Sequence, residues 1–246
     1  MPGLDWLKRP IAHRGLHDGA SGVIENSASS VAAATARDYA VEVDLQCTAD
    51  QLAIVFHDRT LDRLTALTGA VAARNAAELA TIALKGSKDR ILTLPDLLTL
   101  VAGRVPLILE VKSTWSGDRR FEANIAKALA AYQGPVAVMS FDPHCVAAFR
   151  AAAPSLPRGL ISERFQDPVY WSQLSPLQGF AMRNLLTAAL ARPHFIAYDI
   201  KALPALAPSI ARLLGLPLLT WTVRNEAERA RALRYADAMI FEGVVP

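Results

Sequence analysis

The chain has 246 residues, 52% hydrophobic and 20% charged, with a formal net charge of +3. So much apolar material builds a large core and excludes a disordered chain, and the small charge, without a block of like residues, excludes a polybasic nucleic-acid binder. Cys47 and Cys145, the only cysteines, make no disulfide framework, and no uncharged stretch reaches the ~20 residues of a membrane span.

The expectation is therefore a cytoplasmic enzyme-sized chain without a signal peptide, forming one domain over residues 1–246. Residues 10–13 (PIAH) read as a first strand and 27–38 as a helix capped by Asn26 or Ser27. Residues 40–46 (AVEVDLQ) alternate as a strand, with 51–58 (QLAIVFHD) as its hairpin partner. The segment 59–93 is too long for a tight connection and reads as a small excursion. Further strands follow at 106–112, 135–141, 158–162, 194–200, 217–223 and 237–242, with helices at 121–132, 142–153 and 226–236. Apolar strands separated by helices indicate a parallel sheet. Counting the hairpin as one position gives eight, which predicts a TIM-like (β/α)8 barrel with a small insertion after the second strand.

The charged residues fall at strand ends. His13 and Arg14 end the first strand, His57 and Asp58 end the hairpin arm, and Glu110 and Lys112 end the third core strand. Glu42 and Asp44 lie two apart in the second strand and share one face, flanked by Val41, Val43 and Leu45. Same-face carboxylates repel unless a cation lies between them, and Mg²⁺ or Ca²⁺ takes oxygen ligands. Glu42, Asp44 and Glu110 are thus candidate metal ligands, against the alternative of carboxylates satisfied by Arg and Lys. His13 and His57 are candidates for a general acid and base, and Arg14 and Lys112 for phosphate binding. Phe141 and Trp221 are candidate substrate walls, Trp221 the better one because Thr220 and Thr222 flank it. His17, His144 and His194 read as structural or surface residues.

The ordered set HRG (13–15), EN (25–26), VEVDLQCTAD (41–50), VFHDRTLDRLT (55–65), LILEVK (107–112), MSFDP (139–143), RGLIS (158–162) and LTWTV (219–223) resembles the glycerophosphodiester phosphodiesterase family over nearly the whole chain. The resemblance implies metal-dependent hydrolysis of a glycerophosphodiester to sn-glycerol 3-phosphate and an alcohol. It implies Glu42, Asp44 and Glu110 as metal ligands, His13 and His57 as the acid/base pair, and Arg14 and Lys112 on the phosphate. Glu25 and Asn26 would border the substrate, Glu25 as a candidate further ligand, and Trp221 would contact the glycerol. The chain departs from the family pattern at Ile24, at Gln51 and at FEGVVP (241–246), where Glu242 is a candidate stand-in for the usual aspartate. The alternatives are a lysophospholipase D, or another phosphodiesterase acting on lipid or sugar–phosphate diesters, and a catalytically silent phosphodiester-binding barrel. The partner expected is a small molecule, without nucleic acid or a stable membrane anchor.

Overall fold

The structure is a computed structural model and describes residues 3–246. Its ten strands are β1 (Ile11–Ala12), β2 (Ala40–Cys47), β3 (Ala53–Val55), β4 (Leu92–Thr93), β5 (Leu107–Val111), β6 (Val136–Ser140), β7 (Arg158–Ser162), β8 (Phe195–Asp199), β9 (Leu218–Val223) and β10 (Ala238–Phe241). The helices are α1 (Ala28–Ala36), α2 (Ala76–Leu79), α3 (Leu94–Val101), α4 (Arg120–Leu129), α5 (Pro143–Ala152), α6 (Pro176–Arg183), α7 (Ala188–Ala191), α8 (Leu206–Leu213) and α9 (Glu226–Tyr235). β1 pairs in parallel with both β10 and β2, so eight parallel strands close into the expected (β/α)8 barrel. β3 pairs antiparallel with the C-terminal end of β2, which makes the expected hairpin, and β4 adds antiparallel to β3.

Most of the expected strands are present but shorter by a residue or two. His13, His57, Lys112, Phe141 and Glu242 therefore lie just past strand ends rather than within strands. The backbone N–H groups of His13, Lys112 and Glu242 make the last inter-strand bonds, and beyond them the side chains turn over the barrel mouth.

The alternation of β2 decides what faces the lumen. Val41, Val43 and Leu45 pack outward into the layer shared with the helices. Ala40 packs inward with Ile11, Ile108, Phe195 and Leu219, on the face that Glu42 and Asp44 share by period two. Leu7, on a single 3-10 turn at Asp5–Lys8, joins the same lumen cluster. Gly159 lacks a side chain where the Phe195 ring fills the space. The lumen core is therefore dry and apolar, and the polar groups at the C-terminal strand ends lie against it at low dielectric.

The excursion after β3 carries its own apolar cluster, in which Phe56, Leu61, Val71, Leu79, Leu84 and Ile91 are buried together. It is thus a packed insertion. The sequence pattern had not resolved α3, α6, α7 or α8. Each has eight residues or fewer, and three of them carry proline within the helix, so few turns of period 3.6 were available to read.

Candidate active site

The loop after β1 turns sharply, with Arg14 at φ 54° and Gly15 at φ 78°. A Cβ at Gly15 would stand 2.7 Å from the Ser30 carbonyl carbon, so only glycine fits this left-handed position. The turn aims the Arg14 backbone N–H at Glu42 Oε2 (3.0 Å) and its Nη1 at Glu25 Oε1 (2.7 Å), while Nε lies 3.3 Å from Asp44 Oδ2. Ser27 is the cap of α1, in a reciprocal pair with Ser30. Asn26, expected at the cap or bordering the substrate, is buried and holds Asp44 instead. Its Nδ2 donates to Asp44 Oδ2 (2.8 Å), and its Oδ1 accepts from the Asp44 backbone N–H (3.1 Å).

β2 and β5 pair with Asp44 opposite Glu110, so parallel register puts these carboxylates side by side with Glu42 one repeat below. Oxygens of the three lie within 4.8 Å of one another. Lys112 donates to Asp44 Oδ1 at 2.8 Å and also to Glu110. Burial pushes the Asp44 carboxyl up, but Lys112, His57 and Arg14 outweigh it and hold Asp44 well below the usual carboxylate range. Burial also opposes the Lys112 charge, and Asp44 with Glu110 overcomes it, raising that ammonium. Glu42 differs: burial, with Asp44 and Glu110 alongside, raises its carboxyl well above the ordinary range. Its Oε1 is buried without a hydrogen-bond partner. A buried carboxylate oxygen lacking a donor is costly, and a hard divalent cation satisfies it. Glu42, Asp44 and Glu110 thus fit a metal, and Lys112 neutralises only part of the cluster.

Each histidine is fixed through Nδ1. His57 Nδ1 lies 2.8 Å from Asp58 Oδ1, and His13 Nδ1 lies 2.8 Å from Glu242 Oε2. A carboxylate only accepts, so each Nδ1 carries the hydrogen and each Nε2 is the free nitrogen of the neutral ring. Burial lowers His13 below the ordinary histidine value, against the raising effect of Glu242.

Arg63, from the insertion, donates to both Asp58 (Nε–Oδ2, 2.6 Å) and Glu25 (Nη2–Oε1, 2.8 Å). Glu25, expected at the substrate, is thereby occupied by two arginines. Burial raises the Glu25 and Asp58 carboxyls, and Arg63 with its neighbours outweighs that and lowers both. A carboxyl lowered on folding adds stability above its unfolded value of about 4, and that stability is lost as pH falls through the folded value. Arg63→Gln is expected to cost about 1–2 kcal/mol at pH 7, discounted for the half-exposed guanidinium, and to shrink the stability lost between pH 7 and pH 3. Urea denaturation at the two pH values checks this; equal losses in both proteins would remove the link.

A cavity of about 360 Å³ opens beside the cluster, lined by His57, Glu110, Lys112, Phe141, Tyr170 and Trp171 among others. Phe141, the expected substrate wall, lies among the residues that line this cavity. Trp221 is not among the lining residues; it packs edge-on to Phe141 with ring centroids 5.6 Å apart. The wall aromatics that sequence reasoning missed are Tyr170 and Trp171, in the long connection between β7 and β8. Two more groups were missed in role. His17 Nε2 lies 3.9 Å from Glu242 Oε1, and Arg224 Nη2 donates to Glu242 Oε2 at 3.0 Å. Only Glu242 carried a signal, as a departure from the family pattern.

The model of the glycerophosphoryl diester phosphodiesterase family matches residues 13–244. A Bacillus subtilis protein carrying the provisional name glycerophosphodiester phosphodiesterase YhdW is 27% identical over 247 residues, covering 96% of this chain and 92% of its own. Among solved structures, an Oleispira antarctica phosphodiesterase in complex with the product sn-glycerol-3-phosphate superposes with a TM-score of 0.79 at 20% identity, over 96% of this chain and 93% of that one. A protein from Silicibacter pomeroyi, provisionally named a glycerophosphoryl diester phosphodiesterase, gives 0.76 at 24% identity, over 95% and 89%. These two likenesses establish the fold. The family match runs from the first catalytic candidate, His13, to beyond Glu242, and the chain belongs to the glycerophosphoryl diester phosphodiesterase family.

Proposed function

We propose that this chain hydrolyses glycerophosphodiesters to sn-glycerol 3-phosphate and an alcohol, with a divalent ion held by Glu42, Asp44 and Glu110 and proton transfer by His13 and His57. The observation that carries this reading is the buried three-carboxylate cluster with its unpartnered Glu42 oxygen, next to two histidines each oriented by a carboxylate. β1 and β3, which precede the histidines, both pair with β2, the strand that carries Glu42 and Asp44. The Oleispira relative solved with sn-glycerol-3-phosphate supports the product.

When bound, the ion would polarise the phosphoryl group and offset developing negative charge. Lys112 has three N–H bonds and two carboxylate partners, which leaves one donor for a phosphate oxygen. Arg14 likewise has N–H groups beyond those facing Glu25 and Asp44. One histidine, entering as the neutral ring, takes the proton of the nucleophile at Nε2, and the other, entering as the imidazolium, gives its Nε2 proton to the leaving alkoxide. The nucleophile is either the glycerol 2-hydroxyl, which gives a cyclic phosphate that water then opens, or water itself. The insertion belongs to the same catalytic unit, since Arg63 ties His57 through Asp58. A cytoplasmic setting rests on the sequence reading alone; among the described residues no helix is long and apolar enough to cross a membrane.

The test is turnover of glycerophosphocholine and glycerophosphoethanolamine by metal-stripped protein, then with Mg²⁺, Ca²⁺ or Mn²⁺ restored. Metal-dependent release of glycerol 3-phosphate is the expected result; turnover independent of metal, or none with either diester, would sink the reading. A lysophospholipase D has one observation in its favour: Val169, 83% exposed, stands at the cavity rim beside Tyr170, where an acyl chain could lie. Choline release from lysophosphatidylcholine against glycerophosphocholine separates the two. A silent barrel would show the Asp44–Lys112 pair seen here, but it gives no reason for the bare Glu42 oxygen.

A further inference from the structure

Proton transfer by His13, whether it takes or gives the proton, runs through a correctly aimed Nε2, and the ring alone does not choose between its two nitrogens. We infer that Glu242, held by Arg224, is the positioning residue that fixes the tautomer and orientation of His13; this rests on the function proposed above.

The register of three neighbouring strands builds the arrangement. β10 runs parallel to β1 with Phe241 opposite Ala12, and the His13 backbone N–H donates to Phe241 O at 2.9 Å. Position 242 therefore falls beside position 13, although 229 residues separate them. β9 runs parallel to β10, and the Glu242 backbone N–H donates to Val223 O at 3.0 Å, which places Arg224 on the far side. His13, Glu242 and Arg224 thus form a row across the ends of β1, β10 and β9. Glu242 Oε2 accepts from both neighbours, from His13 Nδ1 at 2.8 Å and from Arg224 Nη2 at 3.0 Å. The hydrogen bond from His13 lowers the Glu242 carboxyl to about 2, against burial and with help from Arg224 and His17. It is therefore ionised at any working pH and only accepts. The contact is sheltered, with side-chain exposures of 11% for His13 and 27% for Glu242, so the bond is little weakened by water.

An independent observation supports the design. His57 is held by Asp58, and Asp58 by Arg63. Two histidines from distant parts of the chain each have a carboxylate on Nδ1, and each carboxylate has its own arginine. Chance burial of charges would not favour the same nitrogen in both.

The charged groups that face His13 and Glu242 are Arg14 and His17 from the loop after β1, Asp44 from β2 and Arg224 after β9. His13, His17 and Glu242 also offer ligand atoms within 4.8 Å, as a cation site would. Arg224 on the same carboxylate oxygen opposes a second positive charge there, and the bond from His13 Nδ1 uses the lone pair such a cation needs. Positioning is the reading that the contacts favour.

The experiment compares wild type with Glu242→Gln, Glu242→Asp and Arg224→Met. Long-range ¹H–¹⁵N NMR of the histidine rings reads the tautomer directly, without turnover. Wild-type His13 is expected as the Nδ1–H form, and Glu242→Gln is expected to lose that preference. On glycerophosphocholine with metal present, Glu242→Gln should lower kcat by about 10²-fold, within the ~10⁴-fold that a wrong tautomer costs in a serine-protease triad, with KM within about threefold. Its pH–rate limb assigned to His13 should move to lower pH, because removing an anion beside the ring disfavours the imidazolium. Glu242→Asp, which keeps the charge, should recover part of the rate, and Arg224→Met should lose about 10-fold with a weaker tautomer preference, the low end of the ~10–100-fold that a supporting residue is worth. A Glu242→Gln protein with wild-type kcat, pH profile and tautomer overturns the inference. So does Zn²⁺ that binds stoichiometrically at His13 and His17 in wild type and fails to bind Glu242→Gln. If wild type hydrolyses no diester, the functional reading falls, and the NMR comparison still decides the positioning role. If Glu242→Gln does not fold, Arg224→Met carries the same readouts, and an unchanged tautomer and rate there overturns it.

Discussion

His13→Ala and His57→Ala should each lower kcat on glycerophosphocholine by about 10²–10⁴-fold, with the thermal midpoint nearly unchanged. The stability forecast follows from where the rings sit. Both lie past strand ends, and alanine keeps the backbone hydrogen bonds made there, such as His13 N–H to Phe241 O. His57 has a quarter of its side chain exposed and lines the cavity. His13 is more enclosed, but its removal frees Glu242 to stay paired with Arg224 rather than stranding a charge. The double variant should be little worse than the poorer single one if the histidines act in one concerted step, because groups that work as a unit are not additive. Pre-steady-state and steady-state rates with both diesters check this. Near-normal rates in both single variants would remove the proton-transfer assignment, and a large loss in one only would leave a single histidine serving as both acid and base.

The barrel was legible because its strands are buried on both faces, so runs such as LILEV and AVMS stand out from their surroundings. Even-numbered residues of β2 could be assigned to one face from period two alone, and that face is the lumen. The residues that support the site were not legible. Glu242 meets His13 across 229 positions, and Arg63 meets Glu25 across 38; neither pair leaves a local pattern, because register and closure of the sheet bring them together. His17 read as an ordinary surface histidine for the same reason. The cap of α1 stayed open between Asn26 and Ser27 because both types are good caps, and tertiary structure gives it to Ser27 and the Asn26 amide to Asp44. Trp221 drew attention through its polar neighbours, and in the fold it packs edge-on against Phe141, which lines the cavity. The connection between β7 and β8 was missed because its helices are short, and with it went Tyr170 and Trp171.

Glu42→Gln should separate stability from activity and move them in opposite directions. Glu42 is 1% exposed, accepts one bond from the Arg14 backbone, and leaves its Oε1 without a donor beside two further carboxylates. In metal-free protein that arrangement is a liability, since a buried unsatisfied carboxylate oxygen costs about 1–3 kcal/mol. Glutamine has nearly the same shape, cannot ionise beside the other carboxylates and brings an N–H pair that can face Asp44 or Glu110. The metal-free variant should therefore be at least as stable as metal-free wild type, by up to about 2 kcal/mol in urea denaturation. With metal restored the order reverses. Wild type gains stability through binding, as any ligand specific to the folded state provides, whereas the variant lacks one anionic ligand and should bind far more weakly. Its turnover should fall by about 10³-fold, the rate equivalent of losing several kcal/mol of charge stabilisation at the phosphoryl group. Calorimetric titration with Mg²⁺, Ca²⁺ and Mn²⁺ reads the binding without relying on catalysis. If Glu42→Gln destabilised the metal-free protein by several kcal/mol, Glu42 would instead be a structural partner of the loop after β1. Unaltered metal affinity would place the ion elsewhere, and the bare oxygen would have to be explained by the barrel alone.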